Sequence, residues 1–85
     1  MTKINKEQRL TTAGQVAEIV RQRRKAKGLS QTELAFKLGL SQARVSAIES
    51  KPGSLTIERL IALANLLDLE VVLRDRPRKN ATPLW

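Results

Sequence analysis

A small all-α domain of four helices, followed by one C-terminal β-strand, is the fold class this sequence predicts. Three observations predict it. Four helix-start signals succeed one another between Thr12 and Thr56, each followed by apolar residues at helical spacing. Gly28, Gly39 and Pro52-Gly53 punctuate them. After Asp68 the pattern changes to a short β-branched run, Leu69-Glu70-Val71-Val72-Leu73. With 85 residues the chain has room for one domain, and a chain of this size buries only about 60–65% of its unfolded surface. No cysteine is present to staple it, so stability must come from a tight apolar core or from a second copy of the chain.

The first helix opens at Thr12-x-x-Gln15, a capping-box pattern in which hydroxyl and amide satisfy two orphan N–H groups. Val16, Ile19, Val20 and the stem of Arg23 then recur at helical spacing until Gly28 ends the run. Ser30-x-x-Glu33 is a second capping box, with Leu29 and Leu34 placed as a hydrophobic staple. The helix it starts, Gln31–Leu38, turns Leu34, Ala35 and Leu38 inward and stops at Gly39. Ser41 caps a third helix, Gln42–Ser50, stapled by Leu40 and Val45, with Val45 and Ile48 on its inner face. Thr56 caps the fourth, stapled by Leu55 and Leu60 and striped by Leu60, Leu63, Ala64 and Leu67.

The strand is expected at residues 69–74. No other segment reads as a strand, so its ladder groups lack partners within one chain. Pairing with the same strand of a second copy across a two-fold axis satisfies them, through Leu69, Val71, Val72 and Leu73. A fifth short helix, or an extended segment draped on the core, are the alternatives. Residues 1–10 read as a basic flexible arm, 11–68 as the folded domain, and 75–85 as a polar flexible tail that holds two prolines and ends in Trp85.

Composition excludes much chemistry. Without His or Cys there is no zinc site, no Cys–His pair and no Ser–His–Asp triad, and nothing sets up a cleft of paired acids. No catalytic residue, metal or cofactor is expected. Phe36 and Trp85 are the sole aromatics, too few to stack single-stranded nucleic acid. The N-terminal MTKINKEQRL lacks the apolar region of a secretory signal, and the apolar stretch around Leu60–Leu67 is too short for a bilayer. A soluble, cytoplasmic protein is the expectation. The net charge of +8 resides in residues 1–30 and 69–85, the middle being balanced, and predicts attraction to a polyanion.

Two short helices joined through Gly39-Leu40 form a helix-turn-helix, with Gly39 supplying the unusual dihedrals of the turn and Ala35 the small residue at the close approach. If Val45 and Ile48 seat the second helix, then Ser41, Gln42, Ala43, Arg44 and Ser46 face outward, with Ala47 at the margin. That set suits the major groove of double-stranded DNA: an amide bonds adenine, a guanidinium bonds guanine, and an alanine meets a thymine methyl. Ser30, Gln31, Ser50, Lys51 and Ser54, around the ends of this unit, are the expected phosphate contacts.

Over residues 16–68, the runs Gly28-Leu-Ser-Gln-Thr-Glu-Leu-Ala, Leu38-Gly-Leu-Ser-Gln-Ala-Arg-Val-Ser-Ala-Ile-Glu49 and Ser54–Leu67 resemble the Xre/lambda-repressor-type DNA-binding domain. The resemblance implies a lambda-repressor-like helix-turn-helix fold. It also implies that Gln31 binds a phosphate and buttresses Gln42, and that Arg24 and Glu49 form a structural ion pair. Arg21, Arg23 and Lys27 are then left to be solvated or to act electrostatically. The C-terminal strand and the tail ending in Trp85 add a narrower resemblance, to HipB-like antitoxins, whose strands pair in a homodimer. That likeness implies a HipA-like Ser/Thr kinase toxin as partner, with Trp85 contacting it or directing turnover.

The expected function is therefore a homodimeric, sequence-specific repressor of an inverted-repeat operator, probed by half-sites about 34 Å apart or a multiple of this. It acts as the antitoxin of a HipA-like kinase and autoregulates its operon, with no membrane partner. A free-standing or phage-type Xre regulator without a toxin is the nearest alternative. A protein-interaction bundle without DNA affinity, and a membrane-surface protein acting through the first helix, are readings from other classes.

Overall fold

The computed structural model describes residues 7–77. Within them α1 spans Ala13–Ala26, α2 Gln31–Leu38, α3 Gln42–Ser50 and α4 Ile57–Leu66, with one 3₁₀ turn at Pro52–Ser54 between α3 and α4.

Each helix begins where a side chain can satisfy its first amides. Gln15 Oε1 accepts from the Thr12 N–H at 3.0 Å and from the Thr11 N–H at 2.6 Å. At α2 the box is reciprocal: Ser30 Oγ accepts from the Glu33 N–H at 3.0 Å, and Glu33 Oε1 from the Ser30 N–H at 2.8 Å. Ser41 Oγ accepts from the Arg44 N–H at 3.2 Å, and Thr56 Oγ1 from the Arg59 N–H at 3.1 Å. Gly39 closes α2 in the left-handed region, φ 70°, where a Cβ would be strained. The Leu40 N–H then reaches back to the Ala35 carbonyl at 2.8 Å, which turns the chain straight into α3.

The helices enclose one core, made of Val20 from α1, Leu34 and Ala35 from α2, Val45 and Ile48 from α3, Leu63 from α4, and Leu67 just beyond it. Val16, Leu29, Leu38, Leu40, Leu55, Leu66 and Leu69 pack around it, half-buried. Three apolar stripe positions sit further out than their spacing suggests. Val16, Ile19 and Leu60 are only half-buried, while Ala17, one residue from the expected line, is buried.

The end of α4 is fastened to α1 by polar contacts. Asp68 adopts φ 59°, a conformation Asp tolerates better than most side chains, and the Leu69 N–H donates to the Ala64 carbonyl at 2.8 Å. Arg23 Nη2 donates to the Asp68 carbonyl at 3.2 Å and Lys27 Nζ to Asp68 Oδ2 at 2.6 Å. Hydrogen bonding and charge from Lys27, with the charge of Arg23 beside it, hold the Asp68 carboxyl below its ordinary range. Of the basic residues left to be solvated or electrostatic, Arg23 and Lys27 thus act on Asp68, and Arg21 pairs with Glu18 one turn away.

No strand forms among the described residues. Beyond Asp68 the described chain makes no ladder bonds, and a strand there would have no partner within one chain. Neither does a fifth helix form. Leu69 packs on the core, whereas Val71 is 48%, Val72 68% and Leu73 96% exposed. Arg74 grips Glu7 with both guanidinium arms, at 2.6 and 3.3 Å, so the segment lies beside the start of the described chain. Trp85 and the far ends of the expected arm and tail lie outside the described residues.

Candidate nucleic-acid interface

α3 presents two unlike faces. Val45, Ile48 and Glu49 are buried, and Gln42, Ala43, Arg44 and Ala47 are exposed. This follows from a 3.6-residue period with apolar side chains at 45 and 48. Ser46, expected among the outward residues, is half-buried, and Ala47 is the more open of the two. Ser41 is exposed, but its hydroxyl oxygen already accepts the Arg44 N–H as the cap, so its hydroxyl proton is what remains to donate.

Beneath this face a continuous chain of polar side chains links three helices. Arg24 of α1 and Glu49 of α3 form a two-armed ion pair, Nε to Oε2 at 2.7 Å and Nη2 to Oε1 at 3.1 Å. Arg24 is 8% and Glu49 5% exposed, and Arg24 Nη1 donates to the Leu29 carbonyl at 2.7 Å. Gln31, the first residue of α2, donates from Nε2 to Glu49 Oε1 at 3.0 Å. Gln42, the first residue of α3, donates from Nε2 to Gln31 Oε1 at 2.6 Å. Burial alone would raise the Glu49 pKa, but hydrogen bonds from Arg24 and Gln31, with the nearby charges of Arg24 and Arg21, outweigh it. The carboxyl is held below its ordinary value. The Arg24–Glu49 pair and the Gln31–Gln42 buttress stand as the family resemblance implies, and the bond from Gln31 to Glu49 joins them, which the sequence did not reveal.

The residues expected at phosphates fall into two groups. Gln31 is half-buried within the chain just described, and Ser30 next to it keeps a hydroxyl proton although its oxygen is occupied by the α2 cap. Lys51 and Ser54, beyond α3, are exposed. Ser50 is also exposed, but its Oγ donates back to the Ser46 carbonyl at 3.0 Å and contacts the Ala47 carbonyl at 3.4 Å. That hydroxyl is committed to the helix. Among the described residues no cluster of His, Cys, Asp or Glu fits a metal ion, and no helix is long and apolar enough to cross a membrane.

An exposed second helix seated on a first through a glycine turn, with an amide at its head, defines a helix-turn-helix protein. The helix-turn-helix family model, HTH_3, matches residues 20–73. Similarity extends along most of the chain to Antitoxin HipB of Escherichia coli strain K12, 33% identical over 76 residues, or 89% of this chain and 84% of that protein. Antitoxin HipB of E. coli O6:H1 strain CFT073 is 32% identical over 76 residues, 89% of this chain and 79% of that one. The chain belongs to the helix-turn-helix family of HipB antitoxins. Its fold matches the solved HipA-HipB-O2-O3 complex with a TM-score of 0.74 at 30% identity, covering 84% of this chain and 100% of that one. The HipB-O4 20mer complex gives a TM-score of 0.73 at 30% identity, with coverage of 84% and 100%.

Proposed function

We propose that this protein is a sequence-specific repressor of double-stranded DNA and the antitoxin of a HipA-like kinase toxin, autoregulating its operon in the cytoplasm. It is a binding protein and not an enzyme. The observation that carries the reading is the exposed face of α3, with Gln42 held at its head by Gln31 and with Ala43 and Arg44 open beside it. HipB, to which the chain is similar, has been solved in complex with HipA, which supports the kinase partner.

In this reading residues 11–68 form the DNA-binding domain. Gln42 and Arg44 bond base edges, Ala43 meets a methyl group, and Ser41 and Ser46 contribute at the margins. Gln31, Ser30, Lys51 and Ser54 position phosphates, with Ser50 acting on its helix first. Residues 69–74 pair with their copy across a two-fold axis, which would cover Val71, Val72 and Leu73 and satisfy the unpaired backbone. A dimer of this kind sets two α3 helices in successive major grooves of an inverted repeat. Trp85 belongs to the toxin contact or to turnover.

The experiment is direct binding of the protein to an inverted-repeat duplex, an unrelated duplex and anionic vesicles across a salt series. Preferential, salt-sensitive binding to the inverted repeat is expected, because neutralised phosphates release counterions. Equal affinity for both duplexes, or preference for vesicles, would refute the reading. For the dimer, Val72→Pro removes one ladder donor and bends the strand. Analytical ultracentrifugation should then show a monomer, with operator affinity falling at least tenfold. An unchanged dimer would exclude pairing through residues 69–74.

A further inference from the structure

Amide side chains can present either end to a neighbour, and here a buried charge decides which. An ionised carboxylate only accepts hydrogen bonds, so the Gln31 amide must turn its Nε2 toward Glu49, where it lies 3.0 Å from Oε1. The Gln31 oxygen then faces Gln42 and can only accept, so the Gln42 amide must also donate, at 2.6 Å. What Gln42 has left for a ligand is fixed: one N–H and a free carbonyl oxygen. Adenine, with an acceptor at N7 and a donor at N6, matches that pair, whereas guanine, with acceptors at both N7 and O6, leaves the amide oxygen facing another acceptor.

We propose that Glu49, held ionised and in place by Arg24, is a specificity-determining positioning residue: it sets the donor–acceptor sense of Gln42 through Gln31 without touching the ligand. This rests on the reading of α3 as a DNA-reading helix. Glu49 Oε1 receives both Arg24 Nη2 and Gln31 Nε2, while Oε2 receives Arg24 Nε. The pair at the start of the relay is shielded from water, at 8% and 5% exposure. Solvent therefore cannot substitute for the carboxylate as a source of polarity. The relay has one direction, from the buried charge outward to the exposed amide.

The test replaces the charge by a group that hydrogen-bonds in either sense. Arg24→Met with Glu49→Gln removes both charges together, so no lone buried charge remains, and the amide at 49 can donate to or accept from Gln31. Duplexes selected from a random pool by the native protein, and their single-base variants, provide the probe set. The native protein should favour its preferred base pair under Gln42 by about 5–150-fold. In the double variant that preference should fall to about twofold or less at that base pair, while preferences at the other positions stand. Gln42→Ala in the native background identifies the position. If no position depends on Gln42, the DNA-reading assignment of α3 is wrong and the proposal goes with it. If a Gln42-dependent position exists and the double variant keeps full preference there, or loses it evenly at all positions, Glu49 does not set polarity. Should the double variant fail to fold, the native protein still decides. The Gln31 side-chain amide protons should exchange with solvent measurably more slowly than those of exposed Gln8 in NMR spectra. Exchange as fast as that of Gln8 would overturn the relay.

Discussion

Glu49→Ala should destabilise the domain by about 3–5 kcal/mol, because it leaves the Arg24 guanidinium buried without its counter-charge. Arg24 keeps only its bond to the Leu29 carbonyl, and nothing else among the described residues replaces two arms of a carboxylate. Arg24→Met combined with Glu49→Leu should instead be close to neutral, since removing both charges also removes their desolvation cost. Urea unfolding of the two variants distinguishes the readings. A loss below about 1 kcal/mol for Glu49→Ala would show that the pair is solvated and adds little, as exposed pairs do. The same pair sets a pH dependence. Since the folded Glu49 pKa lies below its ordinary value of 4.5, the stability it contributes is fully present above that value. It is lost as pH falls through the lower folded value, because the unfolded chain then binds the proton more readily. Glu33, lowered mainly by the Ser30 N–H and then by the Ser30 hydroxyl, acts in the same direction. Unfolding should therefore become easier as pH drops below about 4.5, and the double apolar variant should show a shallower acid limb.

The second large effect is expected at Leu34→Ala. Leu34 is 0% exposed and belongs to the cluster that joins α1, α2, α3 and Leu67. Truncation removes its transfer energy and leaves a cavity, together about 2–5 kcal/mol. In a domain this small each kcal/mol moves the Tm by about 4–8 °C, so the variant should melt at least about 8 °C lower. Phe36→Ala, two residues on, is the control: Phe36 is 86% exposed, and its loss should leave Tm within a few degrees. A Tm for Leu34→Ala within the same margin would mean that α2 does not hold the core together.

The helices were legible because their boundaries are written in local chemistry. Ser30 with Glu33, Ser41 and Thr56 act on amides within the next turn, and Gly39 stops α2 through its own dihedrals. The expected limits of α2 and α3 coincide with those observed. Contacts distant in sequence were legible only where a family pattern carried them. Arg24 with Glu49 and Gln31 with Gln42 came through that resemblance. The Gln31–Glu49 bond and the hold of Arg23 and Lys27 on Asp68 did not, since they join residues that no local period relates. The left-handed turn at Asp68 lacks the glycine that would have announced it. Ser50, placed at the end of the reading unit, is exposed, yet its hydroxyl bonds back into its own turn, which position alone does not reveal. The segment after Asp68 reads as a strand from its residue types, yet it forms no ladder among the described residues, and a ladder needs a second strand.

The central claim, that the exposed face of α3 reads base pairs, is tested most directly by comparing Gln42→Ala, Arg44→Ala and Lys51→Ala on a panel of single-base operator variants. Fluorescence anisotropy at two salt concentrations gives both affinity and salt slope. Gln42→Ala and Arg44→Ala should each lose about 1–3 kcal/mol per half-site and relax preference at one base pair, while Lys51→Ala should weaken every duplex alike and flatten the salt dependence. Unchanged affinity and preference in both Gln42→Ala and Arg44→Ala would contradict the claim.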